Sequence, residues 1–229
     1  MDGNLALKYQ LVKQLVCDEG FEREITWQSN INFTALTESS FLRELAWVIL
    51  SCGMKEQIVR KKFGLISECF FHWSSANKIV RNREDCYNSA IAVFNHHGKM
   101  AAIIISSEII EEVGFESLKK QIRDNPIETL QEFPYIGDVT VFHLAKNIGL
   151  ALAKPDRHLV RIADNEGYSN VQDFCRMVSL LSGDSIPVVD IVFWRFANLN
   201  RNYLDVLSSI NFSKQESDYI DEYERDIYQ

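Results

Sequence analysis

The sequence is short of the residues that interrupt helices. It has ten glycines and four prolines in 229 residues. It has no Asn-Gly hairpin turn and no blocks of alternating apolar and polar residues, so it does not read as a sandwich or barrel. No apolar run reaches the eighteen residues of a membrane span, and no membrane partner is expected. The first ten residues, MDGNLALKYQ, carry an early Asp and lack a basic stretch leading into an apolar one, which argues against a secretory signal. The expected address is the cytoplasm or nucleoid of a prokaryote, or the nucleus of a eukaryote. No internal repeat or low-complexity linker is visible.

Paired cysteines are also missing. Cys17, Cys52, Cys69, Cys86 and Cys175 are an odd number, and no two stand at CxxC spacing. Zinc, iron–sulfur and disulfide frameworks are therefore not expected, and buried reduced thiols are. Basic charge is scarce overall, with a net charge of −8, which argues against a non-specific nucleic-acid coat. The charge is segregated, however. Acids concentrate at Glu108–Glu116 and in the tail over residues 214–229. Bases gather as Lys55, Arg60, Lys61 and Lys62; as Lys78, Arg81 and Arg83; and as Lys146, Lys154, Arg157 and Arg161. That separation leaves room for a local DNA-binding surface on an acidic chain.

What is present is helical periodicity. Phe41, Leu45, Val48 and Ile49 form one stripe behind the capping sequence Thr37-Glu38-Ser39-Ser40,. Ile58, Phe63 and Ile66 continue a second helix, and Tyr87, Ile91 and Phe94 a third. Leu5–Leu15 and Val171–Leu181 are further helices, and Met100–Ile105 reads better as a helix start than as a strand. Pro187 opens VVDIVFWRFANL, apolar nearly all round and so central to the core,. Phe21–Phe33 looks irregular. The fold class is all-α.

Two stretches carry chemistry. In LQEFPYIGDVTVFHLAKNIGL, residues 130–150, helical spacing runs to Leu130 and breaks at Phe133-Pro134. Gly137 permits a tight reversal, and Val139–Ile148 is helical again. A turn this short between two helices leaves the amides of Ile136–Val139 pointing outward at a helix N-terminus, a ready site for phosphate. In KPDRHLVRI, residues 154–162, Asp156 follows a proline just before an amphipathic segment. A carboxylate there suits the free amides of a first helical turn.

Together these stretches resemble the helix-hairpin-helix/GPD superfamily of DNA glycosylases, which includes endonuclease III and 8-oxoguanine glycosylase. The resemblance is clear over residues 130–163. It is weaker over ELAWVILSCGMKEQIVRKKF, residues 44–63, which looks like the early helix pair whose loop feeds a wedge residue into DNA. It implies one glycosylase unit over residues 1–229, built from two helical subdomains with the active-site cleft between them. Residues 36–129 would form the first subdomain, and residues 1–35 with 164–229 the second. Residues 130–163 would hold the hairpin and the aspartate loop. The implied partner is double-stranded DNA with a damaged or modified base, met by a monomer that needs no cofactor. No metal is implied as a catalytic ligand, and the hairpin carbonyls leave room for a monovalent cation.

The resemblance places Asp156 at the family's catalytic aspartate. Cleaving an N-glycosidic bond develops positive charge on the sugar, as in glycoside hydrolysis, and a fixed anion stabilises it or orients water. DNA contacts would come from Phe133, Pro134, Tyr135, Ile136, Gly137, Asp138, Val139, Lys154 and Arg157. Met54, in the loop Ser51–Met54, would be the intercalating wedge. His158 reads as a hydrogen-bonding support for the site rather than an acid or base. Trp47 and Trp27 are the base-pocket candidates carried forward from a set that also includes Trp73, Tyr135 and Trp194.

Two departures from the family matter. Val139 falls where strand-cutting members carry a nucleophilic lysine, which implies a monofunctional enzyme in which water attacks. Lys146 is two turns further along, ~10 Å away, too far to substitute. Tyr135 replaces the hairpin's first glycine. Two alternatives stay open: a non-catalytic lesion-sensing module, and a glycosylase/lyase that uses another lysine.

Overall fold

The computed structural model describes residues 2–210, and the acidic tail over residues 214–229 lies outside the described residues. The described chain is helical and contains no strand. Among the described residues it forms two compact units: residues 2–27 with 157–210, and residues 28–156. The sequence resemblance places subdomain boundaries near residues 36, 130 and 164.

The first unit begins with α1 (Asp2–Val16), followed after a kink at Gly20 (φ 88°) by α2 (Glu22–Asn30), which carries the chain into the second unit. Residues 21–33 were expected to be irregular. They carry too few apolar residues for a visible period, but Glu22 and Glu24 suit a helix N-terminus, and Ile25 is buried. A two-pronged ion pair from Arg195 to Glu24 (2.6 and 2.8 Å) fixes α2 further.

The second unit opens with a short turn at Phe33–Ala35 and runs through eight helices. These are α3 (Glu38–Ser51), α4 (Glu56–Cys69), α5 (Ala76–Arg81), α6 (Arg83–Val93), α7 (His97–Val113), α8 (Phe115–Asp124), α9 (Pro126–Gln131) and α10 (Thr140–Asn147). The expected cap of α3 is present. Thr37 Oγ1 accepts from the Ser40 amide (3.2 Å), and Ser40 Oγ accepts from the Thr37 amide (3.0 Å). That closes two of the donors a helix start leaves open.

Its core runs along α3, where Phe41, Leu45, Val48 and Ile49 are all buried. Two stripes differ from expectation. On α4 the buried pair is Val59 and Ile66, while Ile58 is exposed. On α6 it is Cys86 and Ala90, small residues that let α4 and α7 pack closely. Ile66 and Phe94 are nonetheless buried as expected, and Phe63, Tyr87 and Ile91 pack half-buried against the same core, so of the expected residues only Ile58 turns outward. Between α4 and α5, Phe71, His72 and Trp73 all have positive φ (53°, 53° and 61°), a left-handed turn that costs side-chained residues energy,. Trp73 stacking on Phe70 and Phe63 offsets that cost (5.3 and 5.7 Å).

The chain re-enters the first unit with α11 (Arg157–Asn165), α12 (Val171–Ser182), α13 (Ile186–Leu199) and α14 (Tyr203–Ser209). As expected, α13 is central: it packs on α1, α11 and α12. Its Phe193 lies 5.6 Å from Tyr9 and 5.1 Å from Phe174. Among the described residues no helix is long and apolar enough to cross a membrane. No disulfide joins the five cysteines, all of them among the described residues, and Cys17, Cys52 and Cys69 are only half-buried, where buried thiols were expected.

Candidate functional site

The hairpin forms between α9 and α10, and its geometry explains the sequence around it. Phe133 and Ile136 are buried and anchor the turn, and the Ile136 amide donates to the Phe133 carbonyl (3.1 Å). Proline at the second position of such a turn presets φ, and the third position then wants a positive φ. That third residue is Tyr135, at φ 67°. Gly137, expected to make the reversal, does not have a positive φ. The left-handed position of the turn is therefore Tyr135 rather than Gly137.

Thr140, which the sequence reading passed over, clips the turn shut. Its Oγ1 accepts from the Gly137 amide (2.7 Å) and donates to the Tyr135 carbonyl (2.9 Å). Gln131 Nε2 donates to Asp138 Oδ1 (3.0 Å) across the base of the hairpin. The outward amides are therefore fewer than expected. Ile136 and Gly137 spend theirs inside the turn, whereas Asp138 and Val139 have no intramolecular acceptor among the described residues. The carbonyls of Tyr135 and Gly137 accept from Thr140 Oγ1 and the Val141 amide. The only signal for Thr140 was its place three residues after a turn glycine, where a hydroxyl reaches back to free amides.

Gly137 now becomes a test of this geometry. A Cβ added there meets nothing within 4 Å, and its φ suits side-chained residues. Gly137→Ala should therefore keep duplex affinity and hold or raise stability by roughly 0.4–1 kcal/mol. A marked loss of melting temperature would show that the turn needs glycine after all.

The second helix of the hairpin is tied to α3 by a buried polar contact: Asn147 Nδ2 donates to Glu44 Oε2 (3.0 Å). Burial raises the Glu44 carboxyl above its usual range, against the pull of Arg43, Asn147 and Lys146. One turn after Val139 on α10 comes His143. Its imidazole is held well below the usual value by burial first, then by the Lys154 and Lys146 ammonium groups. Lys154 belongs to the segment that ends in Asp156, whose amide donates to the Lys154 carbonyl (2.8 Å). Val139 and His143, four residues apart, share one side of α10,.

His143 should also be felt in stability. It folds neutral, whereas the unfolded chain takes up a proton as pH falls below about 6.5. Lowering the pH to 5.5 should therefore cost up to about 1.4 kcal/mol through this residue. Urea midpoints at pH 7.5 and 5.5 should show His143→Gln losing less than the wild type. Equal losses would remove His143 from this account.

Asp156 is half-buried and stands immediately before α11, whose Leu159, Ile162 and Ala163 are buried. Lys154 is half-buried and Arg157 exposed. In the first unit, Arg157 Nε donates to His158 Nε2 (3.3 Å), which leaves Nδ1 to donate to the Tyr203 hydroxyl (3.3 Å). His158 is thus engaged on both ring nitrogens.

Other expected site residues are more deeply placed. Lys146, grouped with the surface bases, is 6 % exposed. A half-turn on α10 separates it from the solvent side, which charge alone does not reveal. Met54 is half-buried against the core, while Gly53 (φ 67°) and Lys55 beside it are exposed. Trp47 is half-buried edge-on to Phe63 (5.2 Å), with Arg60 over its ring (5.6 Å). Trp27 and Trp194 are half-buried in the sequence of the first unit and its border. Trp73 is a core residue and leaves the set of base-pocket candidates.

The sequence reading missed Lys99 entirely. It is 2 % exposed on α7, and its ammonium donates to the carbonyls of Leu50 (2.6 Å) and Cys52 (2.5 Å), capping the end of α3,. The same ammonium lies 5.7 Å from the centre of the Tyr135 ring. Burial pulls its pKa down. One lysine thus joins the loop Ser51–Met54 to the hairpin turn. Its only signal was a cation just before the apolar run of α7.

No group of three or more potential metal-ligating side chains occurs among the described residues. No known protein family, curated protein or solved structure matches the chain.

Proposed function

We propose that the protein is a monofunctional DNA glycosylase that hydrolyses the N-glycosidic bond of a damaged or modified base flipped out of duplex DNA. The observation that carries the reading is the hairpin turn: among the described residues the Asp138 and Val139 amides have no intramolecular acceptor at the start of α10. A candidate anion site at a helix start and, further along the chain, a half-buried carboxylate just before α11 follow one another in the order the sequence resemblance implies.

The roles follow from the chemistry. The Asp138 and Val139 amides would take a phosphate of the lesion strand, aided by Lys154. As the bond from C1′ to the base nitrogen breaks, its electron pair leaves with the base, and positive charge grows on the sugar. The Asp156 carboxylate stabilises that charge and takes a proton from the attacking water, whose hydroxyl bonds to C1′; that proton, relayed through solvent, ends on the departed base nitrogen, so that the products are the free base and an abasic site.

Water as nucleophile fits the lysines at hand. Lys99 is buried on two carbonyls and Lys146 is buried, so neither presents an amine to a sugar. The test is a panel of duplexes, each with one modified base, assayed for abasic sites with and without alkali. Strand breaks that appear only after alkali on at least one duplex support the reading. Breaks without alkali would favour the lyase alternative, and binding without base release on any duplex would favour the lesion sensor.

A further inference from the structure

Tyr135 is held in a strained backbone conformation by a surround that uses its ring. At φ 67° it occupies a region that side-chained residues enter only when their neighbours over-determine it,. Its edge meets His96 (6.4 Å, 75°), and His96 lies parallel to Phe94 (6.3 Å, 5°). Lys99 sits against the ring, and the hydroxyl passes over Gly98 so closely that a Cβ there would fall 2.6 Å from the oxygen. Packing fixes the ring before any ligand arrives, yet the residue remains 38 % exposed.

We propose that Tyr135 is a stacking platform for an unpaired nucleobase, set beside the amides that hold the phosphate. The proposal rests on the reading of the hairpin as a DNA surface and adds the nucleotide state it selects. In a paired duplex each base has both faces covered by its neighbours, so only an extruded or unpaired base can offer a face to the ring. Stacking on an aromatic side chain is tolerant of sequence, since every base has such a face. A ring already immobilised loses little freedom when the base arrives.

Fluorescence anisotropy on labelled DNA tests it, with a fully paired duplex, the same duplex with a one-nucleotide bulge, and melting curves for each variant. The wild type should prefer the bulge. Tyr135→Leu should weaken bulge binding roughly 5- to 100-fold more than it weakens binding to the paired duplex, and Tyr135→Phe should behave as wild type.

Gly98→Ala provides an independent arm that leaves the tyrosine in place. Its new methyl displaces the ring through the hydroxyl, so bulge preference should fall. In the Tyr135→Phe background the hydroxyl is gone and the next ring carbon lies 3.8 Å away, so Gly98→Ala should be silent there. No bulge preference in the wild type, equal losses on both DNAs with Tyr135→Leu, or a Gly98→Ala effect of the same size in both backgrounds would each overturn the platform. None of these arms measures base release, so the platform and the glycosylase reading fail separately.

Discussion

Asp156→Asn should fold, bind duplex DNA as tightly as the wild type and lose base release by roughly 10²- to 10³-fold, about 3–4 kcal/mol of transition-state stabilisation. The substitution isolates charge. Asparagine nearly matches aspartate in size and serves equally well at the position before a helix, which is where Asp156 stands relative to α11. What it lacks is the full negative charge opposite a developing cation and a lone pair basic enough to take a proton from water. Binding should be unaffected, because the phosphate contacts assigned to the Asp138 and Val139 amides do not involve Asp156. Single-turnover assays on whichever duplex the panel identifies would measure the rate, with melting and anisotropy as controls. A variant within a few fold of wild type would displace Asp156 from the chemistry.

The legible parts of this molecule were those written in local patterns. The cap at Thr37 and Ser40, the apolar helix after Pro187 and the break at Phe133-Pro134 all rest on residues within a few positions of one another. What stayed hidden depended on partners far along the chain. Lys99 looks like a surface cation until α7 is packed on α3, where its ammonium meets carbonyls 47 and 49 positions away. Glu44 is in the same position: a carboxylate within an apolar stripe, matched by Asn147 103 residues later. Turn chemistry failed differently. Glycine is the usual left-handed residue, so Gly137 drew the assignment that belongs to Tyr135,. A bulky residue in that conformation runs against local preference, and such violations concentrate at working surfaces.

Val139→Lys should convert a protein that traps little or no abasic DNA into one that traps it covalently. Val139 is 44 % exposed at the cap of α10, so a lysine there buries no charge and its stem can cover the same apolar surface,. The new amine would share a face with His143,. Two effects lower its pKa: the positive end of α10 and the Lys154 ammonium that already depresses His143,. A fraction of the amine is then neutral and able to attack the C1′ aldehyde of an abasic site. Loss of water from the adduct gives an imine, and borohydride reduces it to a stable amine link. Gel-shifted covalent complex should appear for Val139→Lys and stay at background for the wild type and for Val139→Gln. Acetylating the introduced lysine should abolish it. A folded Val139→Lys protein that binds abasic DNA and never traps would mean that position 139 does not face the sugar. Assigning water as the nucleophile would then lose its footing, since it depends on valine standing where a lysine would act.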